Sequence, residues 1–202
     1  MEKTLSMALP KRIFFTGVPG SRWSGVAQII ETIPGFNTSD RTPDREYKHG
    51  EYSGHKGAYF GRGMEFDPFL NPSYIDNVWT ELGGTRLIKS HDWAYKLQLI
   101  KEFFPEDWIM MIYRPNYVSY QWWHQAGGFS IQYPNYRFYN NGEALMMAIQ
   151  EQNLAILKFA DDHNLRWSYF TSEWINSIFG YTVSANFDKY SDVSVTIFKQ
   201  ET

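Results

Sequence analysis

Three short stretches of this chain carry side chains suited to one kind of chemistry, the handling of a negatively charged group. Gly17-Val18-Pro19-Gly20-Ser21-Arg22-Trp23-Ser24 follows an apolar run, Lys89-Ser90-His91 ends a second run, and Arg114 ends a third. Glycines let a backbone approach an anion closely, Ser21 and Ser24 offer hydroxyl donors, and a strand-to-helix loop aims its backbone N–H groups and the helix dipole at the same point. An unperturbed imidazole titrates near 6.5, so His91 suits proton abstraction from a hydroxyl at neutral pH, while Lys89 and Arg114 suit the stabilisation of negative charge. Set against the phosphate loop of nucleotide triphosphatases, Gly17 and Ser24 fit, but Arg22 stands at the second glycine and Trp23 at the lysine. Arg114 also stands where a magnesium-dependent enzyme of that class would place an ion-holding aspartate. The combination points to an anion site without a metal. Taken singly, each stretch has a plainer reading: a tight turn at 17–20, a capping or solvated histidine, surface charges at Lys89 and Arg114. Their shared position at strand ends favours the site.

The elements that must position these groups are legible as periodicities. Arg12 to Gly17 is a buried, β-branched and aromatic run, and Ser21 to Thr32 carries Val26, Ile29 and Ile30 at helical spacing. Asn71-Pro72 reads as a helix start, with Gly83-Gly84 as its end. Arg86 to Ser90 predicts a second strand, Tyr95 to Phe104 a helix stopped by Pro105, and Trp108 to Tyr113 a third strand followed by a turn and a helix through His124. Glu143 to Asp162 predicts a long helix with Leu145, Ile149, Ile156 and Ala160 on one stripe. Leu165 to Phe170 reads as a fourth strand and Val193 to Phe198 as a final one. Alternating strands and helices predict an α/β fold in three layers, a mostly parallel sheet flanked by helices, with ligands beyond the carboxyl ends of the strands. Residues 1–202 are therefore expected to form a single domain.

Composition narrows the function classes. The 202 residues are 43% hydrophobic and 20% charged, which argues against disorder and coiled coil. A net charge of −3 leaves no global positive field to hold nucleic acid. The longest apolar run, Trp108 to Tyr113, falls far short of the roughly 18 residues that cross a bilayer, so no membrane association is expected and the expected location is cytoplasmic. Without cysteine there is no thiolate nucleophile, disulfide or Cys-ligated metal. Aromatic residues reach 18%, more than a core of this size requires, and some are expected to line a binding surface.

These residues resemble the PAPS-dependent sulfotransferases (PAPS, 3′-phosphoadenosine 5′-phosphosulfate). In that family the first loop reads Pro-Lys-Ser-Gly-Thr-Thr, or Gly-Val-Pro-Arg-Ser-Gly-Thr-Thr in the tyrosylprotein branch, and Gly17 to Ser24 looks like a diverged version. The family then carries Lys-Thr-His at a strand end, Phe-Pro, an apolar strand ending Arg-Asn-Pro, and a helix with Val-Ser-Tyr. Here Lys89-Ser90-His91, Phe104-Pro105, Ile109 to Tyr113, Arg114-Pro115-Asn116 and Val118-Ser119-Tyr120 stand in the same order. The resemblance implies a P-loop-like sulfotransferase core with Gly17, Pro19, Gly20, Ser21, Arg22, Trp23 and Ser24 around the 5′-phosphosulfate. Arg114 and Ser119 would lie at the 3′-phosphate, His91 would act as base, and Lys89 would sit beside the transferred sulfuryl group. PAPS is the implied co-substrate and PAP, adenosine 3′,5′-bisphosphate, the product, with no metal. Gly20 replaces the family's first-loop cation, and Arg22 is the expected substitute. Five positions separate Arg114 from Ser119 where the family usually has eight, a count that Trp122 occupies.

Residues 33–66 are the expected acceptor-side loop or lid. Arg41, Arg45, Lys48, His49, His55, Lys56 and Arg62 alternate there with Tyr47, Tyr52, Tyr59 and Phe60, a mixture suited to a sugar-like or acidic small molecule. Gly127-Gly128 with Tyr133, Tyr136 and Tyr139 is the expected opposite wall. His49 and His55 match no metal-ligand spacing. Two other functions remain open on sequence: a phosphate-loop nucleotide kinase, and a non-catalytic, aromatic-rich carbohydrate binder.

Overall fold

The computed structural model describes residues 9–39, 46–47, 58–59, 70–76, 83–130 and 141–200. Its centre is a five-stranded sheet. The strands are β1 (Arg12–Thr16), β4 (Arg86–Lys89), β5 (Trp108–Tyr113), β6 (Ser168–Tyr169) and β7 (Ser194–Phe198), in the order β4-β1-β5-β7-β6. β1 pairs in parallel with β4 and with β5, whereas β7 runs antiparallel to both β5 and β6. β4, β1, β5 and β6 thus point one way. The fold is α/β with a mixed sheet, and the final apolar run enters it in reverse between β5 and β6.

Alternation along the strands divides the core in two. Ile13, Phe15, Leu87, Met110 and Ile112 face helices α1 (Trp23–Ile30) and α6 (Ser172–Phe179) through Val26, Ile30, Trp174 and Phe179. Phe14, Ile88, Ile109 and Met111 face the opposite layer, where α2 (Pro72–Asp76), α3 (Leu97–Phe103) and α5 (Gly142–Asp162) bring Ile75, Ile100, Ile156 and Phe159. Strands covered on both faces must be apolar along their whole length, which is why these runs read continuously rather than in alternation. A smaller cluster of Val18, Trp123, Leu145 and Ile149 holds α4 (Asn116–Gln125) against α5.

Several expectations change in detail. Tyr95 belongs to a 3₁₀ turn, His91–Tyr95, which Ser90 opens by accepting the Asp92 N–H at 3.1 Å, and the helix begins only at Leu97. The fourth strand shrinks to Ser168–Tyr169. Within the expected lid, β2 (Glu46–Tyr47) and β3 (Ala58–Tyr59) form an antiparallel pair, an element that no periodicity announced. The basic and aromatic residues assigned to that lid, like Tyr133, Tyr136 and Tyr139, otherwise lie outside the described residues. Asp107 receives the Arg12 guanidinium at 2.5 Å at the far end of the sheet, so that end carries its own closed ion pair. Among the described residues no helix is long and apolar enough to cross a membrane.

Candidate functional site

The loop from Gly17 to Arg22 is shaped by contacts that exclude side chains. A Cβ on Gly17 would lie 2.8 Å from Ser21 Oγ and 3.1 Å from Ile112 Cβ, so the chain hugs the end of β5. Ser21 N–H donates to Val18 O at 3.0 Å and closes the first turn. Gly20 has φ +77°, and a Cβ there would lie 2.0 Å from the Ser119 carbonyl oxygen, which seats the loop directly on the backbone of α4. Arg22 is also left-handed, at φ 64° and ψ 15°, and occupies the N-cap of α1 without a side-chain cap. Positive φ at Gly20 and Arg22 but not at Ser21 is the alternation of handedness that turns successive N–H groups toward one side. Among the described residues, the N–H groups of Arg22, Trp23 and Ser24 have no acceptor, as expected for a helix start. Ser21 is fully buried, and its Oγ has no partner among the described residues.

Strand register brings the other two stretches to this loop. Phe15 pairs with Lys89, Thr16 pairs with Met111, and Ser90 N–H donates to Phe15 O at 3.2 Å, so the carboxyl ends of β4, β1 and β5 share one edge. His91 turns back under the loop and holds the Gly17 carbonyl through Nδ1. Its ring packs 4.0 Å from that of Trp23. Burial lowers its pKa to about 4, with the Gly17 bond opposing the shift, so His91 is neutral at pH 7. Because Nδ1 faces a carbonyl it must carry the proton, which makes Nε2 the basic nitrogen. Lys89 is buried, and by strand alternation it shares the face of Leu87, toward α1.

Arg114 completes the arrangement. Its side chain is 4% exposed, and Nη1 donates to Gly20 O at 2.8 Å while Nη2 donates to an Asp192 carboxylate oxygen at 2.6 Å. Its own carbonyl is held by Asn153 Nδ2 at 2.9 Å. The Arg22 guanidinium stacks on Trp122, with Cζ 3.9 Å from the ring centroid, and Arg114 Cζ stands 6.0 Å from the same ring. Burial, and then the Arg114 charge, lower the Arg22 pKa, while Asp192 and Tyr190 pull it back up.

Gly17, Pro19, Gly20, Ser21 and Arg22, with Trp23 and Ser24 in the first turn of α1, therefore form one stretch that meets His91 and Arg114, with Lys89 at the adjoining strand end. Ser119 is fully buried with its hydroxyl turned to the Arg114 carbonyl, while Trp122, one turn further along α4, faces both guanidiniums. Sequence reasoning passed over Asn153, Tyr190 and Asp192. No motif marks them. Asn153 comes from α5, whereas Tyr190 and Asp192 arrive because β7 starts where β5 stops, with Tyr113 paired to Ser194, so the turn before Ser194 lies beside Arg114. No protein-family model, curated protein or solved structure matches the chain.

Proposed function

We propose that this chain is a sulfotransferase that moves a sulfuryl group from PAPS to a hydroxyl, or an amine, of a small-molecule or sugar-like acceptor, on a P-loop-like core. One observation carries the reading: a buried guanidinium from the end of β5 is fixed on the carbonyl of Gly20, in the same loop as backbone N–H groups and a Ser21 hydroxyl that have no partner among the described residues. Sulfuryl transfer from an adenylate is an in-line displacement that needs such donors where charge gathers on the leaving phosphate, and each is commonly worth on the order of 10²-fold in rate.

PAPS supplies the activated sulfuryl group. In this assignment the N–H groups and hydroxyls of the 17–24 loop hold the 5′-phosphosulfate, with Arg22 replacing the cation absent at Gly20. Arg114 holds the 3′-phosphate, where its fixed fork discriminates a doubly phosphorylated adenylate from a singly phosphorylated one. Lys89 stabilises charge on the group in transfer. His91 accepts the acceptor's proton at Nε2; it is neutral at pH 7, and burial makes it a weaker base than free imidazole. Trp23 packs on the imidazole, so the acceptor approaches along the ring edge or after a shift of the indole.

A nucleotide titration followed by thermal unfolding tests the reading, because a ligand bound only by the folded chain stabilises it by RT ln(1 + [L]/Kd). PAP is expected to raise the midpoint more than adenosine 5′-phosphosulfate or AMP at equal concentration. No shift at millimolar PAP, or a larger shift with ATP and magnesium, overturns it, the latter in favour of a kinase.

A further inference from the structure

Among the described residues, the two guanidiniums that face Trp122 have one carboxylate between them. Asp192 lies 2.6 Å from Arg114 and also raises the pKa of Arg22, so both cations feel it. Among the described residues, the Arg22 guanidinium makes no hydrogen bond, and the Nε atoms of Arg22 and Arg114 are both buried without a partner. The pair is asymmetric. Arg114 is almost fully buried, whereas the Asp192 side chain is 40% exposed on the turn before β7. The cation is fixed by Gly20 and by Trp122 packing, and the anion sits at the solvent side.

We propose that Asp192 is the resident counter-ion of an anion site that Arg114 and Arg22 build around Trp122, and that a phosphate monoester displaces it from Arg114 into solvent. The step makes and breaks no covalent bond: one carboxylate leaves the Arg114 fork and a phosphate oxygen takes its place. Asp192 is then an affinity-setting residue, keeping two like charges compatible when the site holds no ligand and weakening every phosphate that binds. A phosphate dianion carries more negative charge than the single carboxylate that it replaces beside two guanidiniums, which gives the exchange its direction. The identity of the bound phosphate as the 3′-phosphate of PAPS rests on the function proposed above. The site itself does not.

Titration of the full chain and of Asp192→Asn with inorganic phosphate and with PAP, read by calorimetry and thermal shift, tests this. Asparagine keeps an oxygen acceptor for Arg114 and removes the charge. The variant is expected to bind both ligands about tenfold more tightly, the scale of one lost charge-assisted competitor. Tighter inorganic phosphate in the variant, with PAP bound no better than phosphate by either protein, supports the counter-ion and refutes the PAPS reading. Unchanged or weaker binding of both ligands overturns the counter-ion. Should the variant fail to fold, carbodiimide footprinting of the unaltered chain decides: saturation with phosphate is expected to raise amidation of Asp192 several-fold relative to Asp188, and equal labelling with and without phosphate refutes displacement.

Discussion

Replacing Gly20 by alanine tests the seating of the loop on α4. At φ +77° an alanine is left-handed, which costs about 1–2 kcal/mol. The added Cβ would also lie 2.0 Å from Ser119 O and 2.8 Å from Ser119 C, both backbone atoms of a helix that cannot yield as a flexible side chain would. Overpacking of this kind adds roughly 1–3 kcal/mol. The molecule supplies its own control. Gly180 ends α6 at φ +73°, yet a Cβ there meets nothing within 4 Å, so Gly180→Ala isolates the backbone cost alone. Urea unfolding is expected to show Gly20→Ala less stable by about 3 kcal/mol and Gly180→Ala by about 1 kcal/mol. For a chain of this length those losses correspond to melting shifts of about 6–12 °C and about 2–4 °C. Equal losses in the two variants would refute the loop-on-helix contact, and with it the placement of the Gly20 carbonyl on Arg114.

Two further outcomes follow from the same loop. The folded pKa of His91, about 4, lies below the 6.5 of free imidazole, so the unfolded chain takes up the proton first. The stability that His91 contributes is therefore complete above about pH 6.5 and declines as the pH falls through 6.5 toward 4, by up to ~3 kcal/mol. His91→Gln removes that component, and denaturation curves at pH 7 and pH 4.5 whose difference is the same in both proteins would contradict the buried neutral ring. Arg22→Gly releases a left-handed non-glycine residue, worth about 1–2 kcal/mol, against the loss of its stacking on Trp122, worth about 0.5–2 kcal/mol. Stability is expected to stay within about 1 kcal/mol while phosphate affinity falls at least tenfold in calorimetry. An affinity that survives the substitution would exclude Arg22 from the site.

How much of this was legible in the sequence depends on which force sets each feature. β1, β4 and β5 are buried on both faces, so burial writes itself along every residue from Ile13 to Phe15 and from Ile109 to Ile112, and the strands read directly. Helix α5 shows its stripe at Leu145, Ile149, Ile156 and Ala160 because one side alone meets the core. The position of β7 is different. Val193 to Phe198 has the composition of a strand, but nothing local distinguishes an outer parallel strand from an antiparallel one inserted beside β5, and that choice delivers Asp192 to Arg114 and Tyr190 to the field of Arg22. Arg22 was legible as a broken phosphate-loop signature, but its left-handed conformation was not, since propensity argues for glycine there.

That conflict between local preference and fold says where the chain has been shaped by something other than stability. Arg22 adopts a strained backbone, the Ser21 hydroxyl and the Arg22 and Arg114 Nε atoms are buried unpartnered, and two guanidiniums share one indole, all around one strand-to-helix loop. Each buried unpartnered donor costs on the order of 1–3 kcal/mol, so folding alone would favour glycine at 22 and a neutral residue at 114. At the other end of the sheet, by contrast, Asp107 accepts both the Arg12 N–H and its guanidinium, which is how a buried cation is held when structure is the sole demand. Unsatisfied donors gathered at the carboxyl edge of a largely parallel sheet are the features a bound anion would satisfy, and among the described residues the exposed carboxylate of Asp192 is the anion that already meets Arg114.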